Sequence, residues 1–118
     1  MTAVILIRDG QIARLLERQL KALRSDCAVV ILKEPGKALR HLEDTPADAV
    51  FLDIDGEADW QGVCGMVKVA ARNTSLVLLS DDSLNAVKAF EAGAADFITK
   101  PVEHKRLEQA VLRCARVG

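Results

Sequence analysis

Ala92-Gly93-Ala94-Ala95-Asp96-Phe97-Ile98-Thr99-Lys100-Pro101 joins a helix stop, a short apolar strand and a cation in one stretch. Gly93 stands where the residue after a helix over 84–92 turns left-handed, a conformation glycine reaches without a Cβ clash. The run at 96–99 then reads as a buried strand, and Lys100 and Pro101 follow it directly.

The same alternation extends outward. Further apolar runs lie at 4–7, 28–32, 49–52 and 76–79, each rich in Val, Ile, Leu or Phe. Runs without polar alternation predict a sheet covered on both faces, as parallel strands usually are. The gaps carry a helical period. Over 11–24, Ile12, Leu15, Leu16, Leu20 and Leu23 fall on one stripe, with Arg14, Glu17, Arg18, Lys21 and Arg24 largely on the others. Weaker stripes lie at 36–43, 60–71 and 84–92, and a clearer one at 103–116, where Leu107, Val111 and Cys114 share a face. Pro35 and Gly36 open the second helix, Thr45-Pro46 closes it, and Ser83 is the expected cap of the fourth. The order is (βα)5, with right-handed crossovers and a parallel sheet between helix layers. One domain over 1–118 is expected.

Composition narrows the function. The chain has 118 residues, half hydrophobic and 28% charged, the size and mix of one globular domain. Sixteen Lys and Arg against seventeen Asp and Glu leave a net charge of −1, without the basic field that holds nucleic acid or an anionic membrane. Three Phe, one Trp and no Tyr argue against stacking on bases. The apolar runs fall far short of the roughly 20 residues that span a bilayer. Met1-Thr2-Ala3 leads into a strand without signal-peptide features, so a cytoplasmic location is expected. Cys27, Cys64 and Cys114 are odd in number and lack a C-x-x-C pair, which predicts buried, unreactive thiols.

In open α/β sheets, ligands bind outside the carboxyl ends of the strands, near the point where strand order reverses. Arg8, Asp9 and Gly10 follow the first strand, Lys33 and Glu34 the second, and Asp53, Ile54 and Asp55 the third. Ser80, Asp81 and Asp82 follow the fourth, and Lys100 the fifth. With the first strand beside the third and the fourth and fifth extending the sheet, an acidic cleft with one lysine and one hydroxyl results. A carboxylate there can act as metal ligand, general base or nucleophile toward a phosphoryl group. Asp53, rigid at a strand tip with apolar walls behind it, suits a nucleophile. A phosphoryl group on it needs a bridging cation, a donor and a positive charge. Asp9 with Asp53, Ser80 and Lys100 can supply these.

Over its whole length the chain resembles a response-regulator receiver domain, the phosphoaccepting half of bacterial two-component signalling. The residues that carry the resemblance are Val4-Ile5-Leu6-Ile7-Arg8-Asp9, Asp48-Ala49-Val50-Phe51-Leu52-Asp53, Leu76-Val77-Leu78-Leu79-Ser80 and the stretch 92–101. The resemblance implies a flavodoxin-like doubly wound α/β sandwich with a five-stranded parallel sheet in order 2-1-3-4-5. It implies Asp53 as phosphoacceptor, Ser80 and Lys100 as phosphoryl contacts, Phe97 as the aromatic switch residue, and Mg2+ held by Asp9, Asp53 and the backbone carbonyl of Asp55. A histidine kinase or histidine phosphotransfer protein is the implied donor, and an output domain or downstream protein the reader. A homodimer through the fourth helix and fifth strand belongs to the same expectation. Receivers often tune dephosphorylation at the position of Asp82, and the charged face of the first helix can dock the donor.

Two departures stand out. Receivers usually carry two adjacent acids after the first strand, and Arg8 replaces the first. An arginine pointing into the cleft lowers metal affinity by well over a hundredfold, at about 3 kcal/mol per pair of unit charges about 6 Å apart in an effective dielectric of roughly 20. The loop Ile54-Asp55-Gly56-Glu57-Ala58-Asp59-Trp60-Gln61-Gly62 lacks the usual Met-Pro and places its glycine one residue late. The alternative is an atypical receiver, a phosphorylation-impaired interaction module in which Arg8 pairs with Asp53. Phe51-Leu52-Asp53-Ile54-Asp55-Gly56 also resembles the D-x-D motif of dehalogenase-type phosphatases, but it follows the third strand rather than the first. A flavin-binding flavodoxin is excluded because Arg8-Asp9-Gly10-Gln11 lacks a hydroxyl- and glycine-rich phosphate loop. His41 and His104 read as solvated surface residues, and Trp60 as a half-buried aromatic at a helix start.

Overall fold

The computed structural model describes residues 1–115. Five strands alternate with five helices: β1 Thr2–Leu6, α1 Gly10–Leu23, β2 Ala28–Leu32, α2 Pro35–Asp44, β3 Ala49–Asp53, α3 Trp60–Ala70, β4 Ser75–Ser80, α4 Ala86–Glu91, β5 Asp96–Thr99 and α5 His104–Ala115. The strands form one parallel sheet in the order β2-β1-β3-β4-β5. This is the flavodoxin-like arrangement expected. The expected end of the last helix, residue 116, lies outside the described residues.

Strand periodicity sorts the apolar runs into two cores. Ile5, Ile7, Phe51, Val77, Leu79 and Ile98 face α1 and α5, where Leu16, Leu20, Leu107 and Val111 meet them. Val4, Leu6, Val50, Leu52, Leu78 and Phe97 face α2, α3 and α4, against Leu42, Val63, Val67 and Ala89. Alternate residues of each central strand thus enter opposite cores, which is why the runs show no polar alternation. The edge strand β2 is only partly buried. On α1, Leu15 departs from its predicted stripe and stands half-exposed, whereas Ala13, Leu16 and Leu20 are buried.

Local chemistry sets the ends. Asp9 caps α1 by accepting from the Gln11 and Ile12 amides. Gly93 takes φ 96° after α4, and the Gly93 and Ala94 amides close on the Phe90 and Ala89 carbonyls at 3.1 Å. The fourth helix differs from expectation. A 3-10 turn at Ser83–Asn85, capped by Asp82 through its bond from the Leu84 amide at 2.9 Å, precedes a short α4 that begins after Asn85 without a side-chain cap, so Ser83 is not the cap. A carboxylate one residue earlier reaches the open amides first and draws them into the tighter turn.

Cys27, Cys64 and Cys114 are buried and free, and burial pushes the Cys64 thiol up to about 11. Trp60 starts α3 half-buried, as expected. His41, in contrast, is half-buried with its Nε2 enclosed and unpartnered, whereas His104 is exposed. No helix is long and apolar enough to cross a membrane among the described residues.

Candidate functional site

The sheet delivers Asp53, Ser80 and Lys100 to one edge, because each ends or directly follows one of the adjacent strands β3, β4 and β5. Asp53 is nearly buried. Its Oδ1 accepts from the Asp55 amide at 3.0 Å and its Oδ2 from Lys100 Nζ at 2.7 Å. Lys100 Nζ also lies 2.9 Å from Asp55 Oδ2 and 3.9 Å from Asp81 Oδ2. Burial pulls the Lys100 ammonium down, but its bonds to Asp53 and Asp55 outweigh that and raise it. The Lys100–Pro101 peptide bond is cis.

The 3-10 turn Ile54–Gly56 directs the Asp55 side chain toward β4. There Ser80 Oγ donates to Asp55 Oδ1 at 2.6 Å, and the Asp81 amide donates to Asp55 Oδ2 at 2.8 Å. Burial pushes the Asp55 carboxyl up, but the bonds from Ser80, Asp81 and Lys100 together hold it below the usual carboxylate range. Ser80 is fully enclosed, and its hydroxyl accepts from the Asp82 amide at 3.0 Å and from Asn85 Nδ2 at 3.3 Å.

The remaining expected site residues lie differently. Asp9 turns its carboxylate onto the first turn of α1. Arg8 does not pair with Asp53: its Nε donates to Glu57 Oε1 at 2.8 Å, from a side chain 56% exposed to one 12% exposed. Phe97 sits inward in the α4-side core. In the departing loop, Asp59 caps α3 so closely that a Cβ on Gly62 would lie 2.3 Å from Asp59 Oδ2, which accounts for the displaced glycine.

Sequence reading missed three partners. Glu57 lies in a loop and Asn85 ends a 3-10 turn, neither with a pattern of its own. Asp96, fully buried, takes a two-pronged contact from Arg106, with Nη1 at 2.8 Å from Oδ2, and a further bond from Arg113 at 2.9 Å. Its signal was present: an acid opening an apolar strand, with two arginines seven residues apart on one face of the next helix.

A family model described as the response regulator receiver domain matches residues 4–112. The chain belongs to the response-regulator receiver family. Sensory transduction protein LytT of Bacillus subtilis is 27% identical over the whole of this chain and 50% of its own length. The chain spans about half the length of the curated relatives it matches. Among solved structures, a receiver domain protein of Clostridium thermocellum superposes with TM-score 0.84 at 18% identity, over 98% of this chain and 94% of that one. The receiver domain of sensor histidine kinase PA1611 of Pseudomonas aeruginosa superposes with TM-score 0.81 at 18% identity, over 95% of this chain and 94% of its own, and is described with a magnesium ion coordinated in the active site cleft.

The donor set of this receiver is poorer in free acid. Asp53 is bound by Lys100, Asp9 by α1 and Asp55 by Ser80, and the residue beside Asp9 is the cationic Arg8. Among the described residues no three His, Cys, Asp or Glu side chains group so as to hold a metal ion. As placed, these residues do not fit a divalent cation.

Proposed function

We propose that this receiver takes a phosphoryl group onto Asp53 from the phosphohistidine of a histidine kinase or histidine phosphotransfer protein in the cytoplasm. The observation that supports this most directly is the contact of Lys100 Nζ with a nearly buried Asp53 carboxylate at the tip of a central strand. A carboxylate oxygen attacks phosphorus, the P–N bond to the imidazole opens, and the ring nitrogen leaves with the electron pair and takes up a proton. Lys100 balances charge on the phosphoryl oxygens, and Ser80 donates its hydroxyl. The coupled pair Ser80 and Phe97 passes the change to the face of α4 and β5, where Leu84, Val87 and Phe90 stand exposed for a partner, an output segment of a longer regulator or a second copy.

A second reading, the phosphorylation-impaired interaction module, is favoured by Arg8 in place of the first acid and its pairing with Glu57. Acetyl phosphate and intact mass spectrometry separate the two. Gain of one phosphoryl group by the unaltered chain and none by Asp53→Ala supports the acceptor reading. No gain by either rejects it in favour of the module.

A further inference from the structure

Three donors converge on one carboxylate, and that carboxylate belongs to the chain itself. A hydroxyl from Ser80, a main-chain amide from Asp81 and the Lys100 ammonium lie 2.6, 2.8 and 2.9 Å from the two oxygens of Asp55. Such a grouping is a seat for a small oxyanion, satisfying both oxygens with charge-assisted or preorganised donors. The seat adjoins Asp53, since the same Lys100 Nζ is 2.7 Å from Asp53 Oδ2. A phosphoryl group on Asp53 would draw on this hydroxyl and this ammonium.

We infer that the Asp55 carboxylate fills the phosphoryl seat as an internal stand-in, holding Ser80 and Phe97 in the anion-bound arrangement without any transfer to Asp53. Two further observations bear this out. Ser80 is committed: it donates to Asp55 and accepts from Asp82 and Asn85, so its hydroxyl is fixed toward the seat. Phe97 is already inward, 7% exposed, in the core cluster that includes Ala86 and Ala89 of α4. Ser80 therefore faces an occupied seat, and the occupant is Asp55. A phosphoryl group arriving at Asp53 must displace a like-charged carboxylate from its donors.

The inference rests on the receiver reading of Ser80 and Phe97, but not on transfer to Asp53. It is tested by 15N-edited NMR of the unaltered chain, Asp55→Ala and Asp55→Asn, with inorganic phosphate as the probe and no phosphodonor present. In Asp55→Ala the Ser80–Asp82 amides shift and the Phe97 ring loses NOEs to α4. Phosphate returns both toward their original positions in that variant and leaves the unaltered chain unchanged. Asp55→Asn, which keeps the shape and one acceptor oxygen, gives smaller shifts in the same direction and serves if the alanine variant fails to fold. Unchanged Ser80 amide and Phe97 ring signals in folded variants would overturn the inference, as would a phosphate response in the unaltered chain equal to that of Asp55→Ala. Failure of acetyl phosphate to modify Asp53 rejects only the acceptor reading, because the spectra are recorded without a donor.

Discussion

Arg8 leaves β1 beside Asp9 and reaches Glu57 in the loop after β3, so a guanidinium stands at the rim of the acidic edge. A guanidinium there repels any cation brought to the edge. Exposure of the Arg8 side chain screens much of this. Arg8→Asp is therefore expected to tighten Mg2+ binding about tenfold, read as a change in Trp60 fluorescence during titration. Equal Mg2+ response in variant and unaltered chain would remove Arg8 as the cause of the poor fit. At this scale the sequence disclosed positions better than contacts. Asp53, Ser80 and Lys100 were legible because each terminates an apolar run, and strand ends converge. The destination of the Asp55 carboxylate was not, since its partners Ser80 and Asp81 lie 25 and 26 residues away and are chosen by a turn without a propensity signature.

Elements carry their own devices. Asp96 opens β5, and its buried carboxylate ties that strand to α5 through Arg106 and Arg113. Burial pushes this carboxyl up, but the Arg106 bonds, the Phe97 amide and the charges of Arg106 and Arg113 prevail and leave it below the usual range. Because the native value is depressed, the stabilisation is present above the unfolded value of about 3.9 and is lost as pH falls through the native one. Asp96→Asn is expected to cost about 2 kcal/mol at pH 7, at the low side for a buried pair because Arg106 is one-third exposed. The deficit should shrink as urea midpoints are taken at pH values descending below about 4. A deficit independent of pH would show that the carboxylate's charge is not what holds β5 to α5. Just before the same strand, Gly93→Ala places a Cβ at φ 96° and 3.1 Å from Lys68 Cε. A loss of about 1–2 kcal/mol is expected in the same assay. Strands and most helices were legible at this scale from period and punctuation. The start of α4 was not, because a 3-10 turn capped by Asp82 intervenes and α4 begins after Asn85 without a side-chain cap to mark it.

For the whole molecule, the two cores take up most of the apolar side chains, while α4 and the turn before it leave three large ones in solvent. Leu84 in the 3-10 turn is 84% exposed, and Val87 and Phe90 on α4 are 69% and 49% exposed, although Ala89 of α4 is fully buried. These side chains contribute little to folding, since an exposed substitution away from caps and cores usually changes stability by less than about 0.5 kcal/mol. Their spacing of three along the turn and α4 suits association, where apolar area removed from water contributes about 25 cal/mol per Å2. Val87→Glu is accordingly expected to leave the melting transition near that of the unaltered chain and to weaken self-association at high concentration in sedimentation velocity. Identical sedimentation of both chains would assign α4 no role in self-association. A large drop in melting temperature would mean instead that Val87 supports the fold, against the exposure of its side chain. With Asp55 already seated, association through α4 should need no phosphodonor, so the Asp55→Ala variant should also sediment with weaker association until phosphate is added.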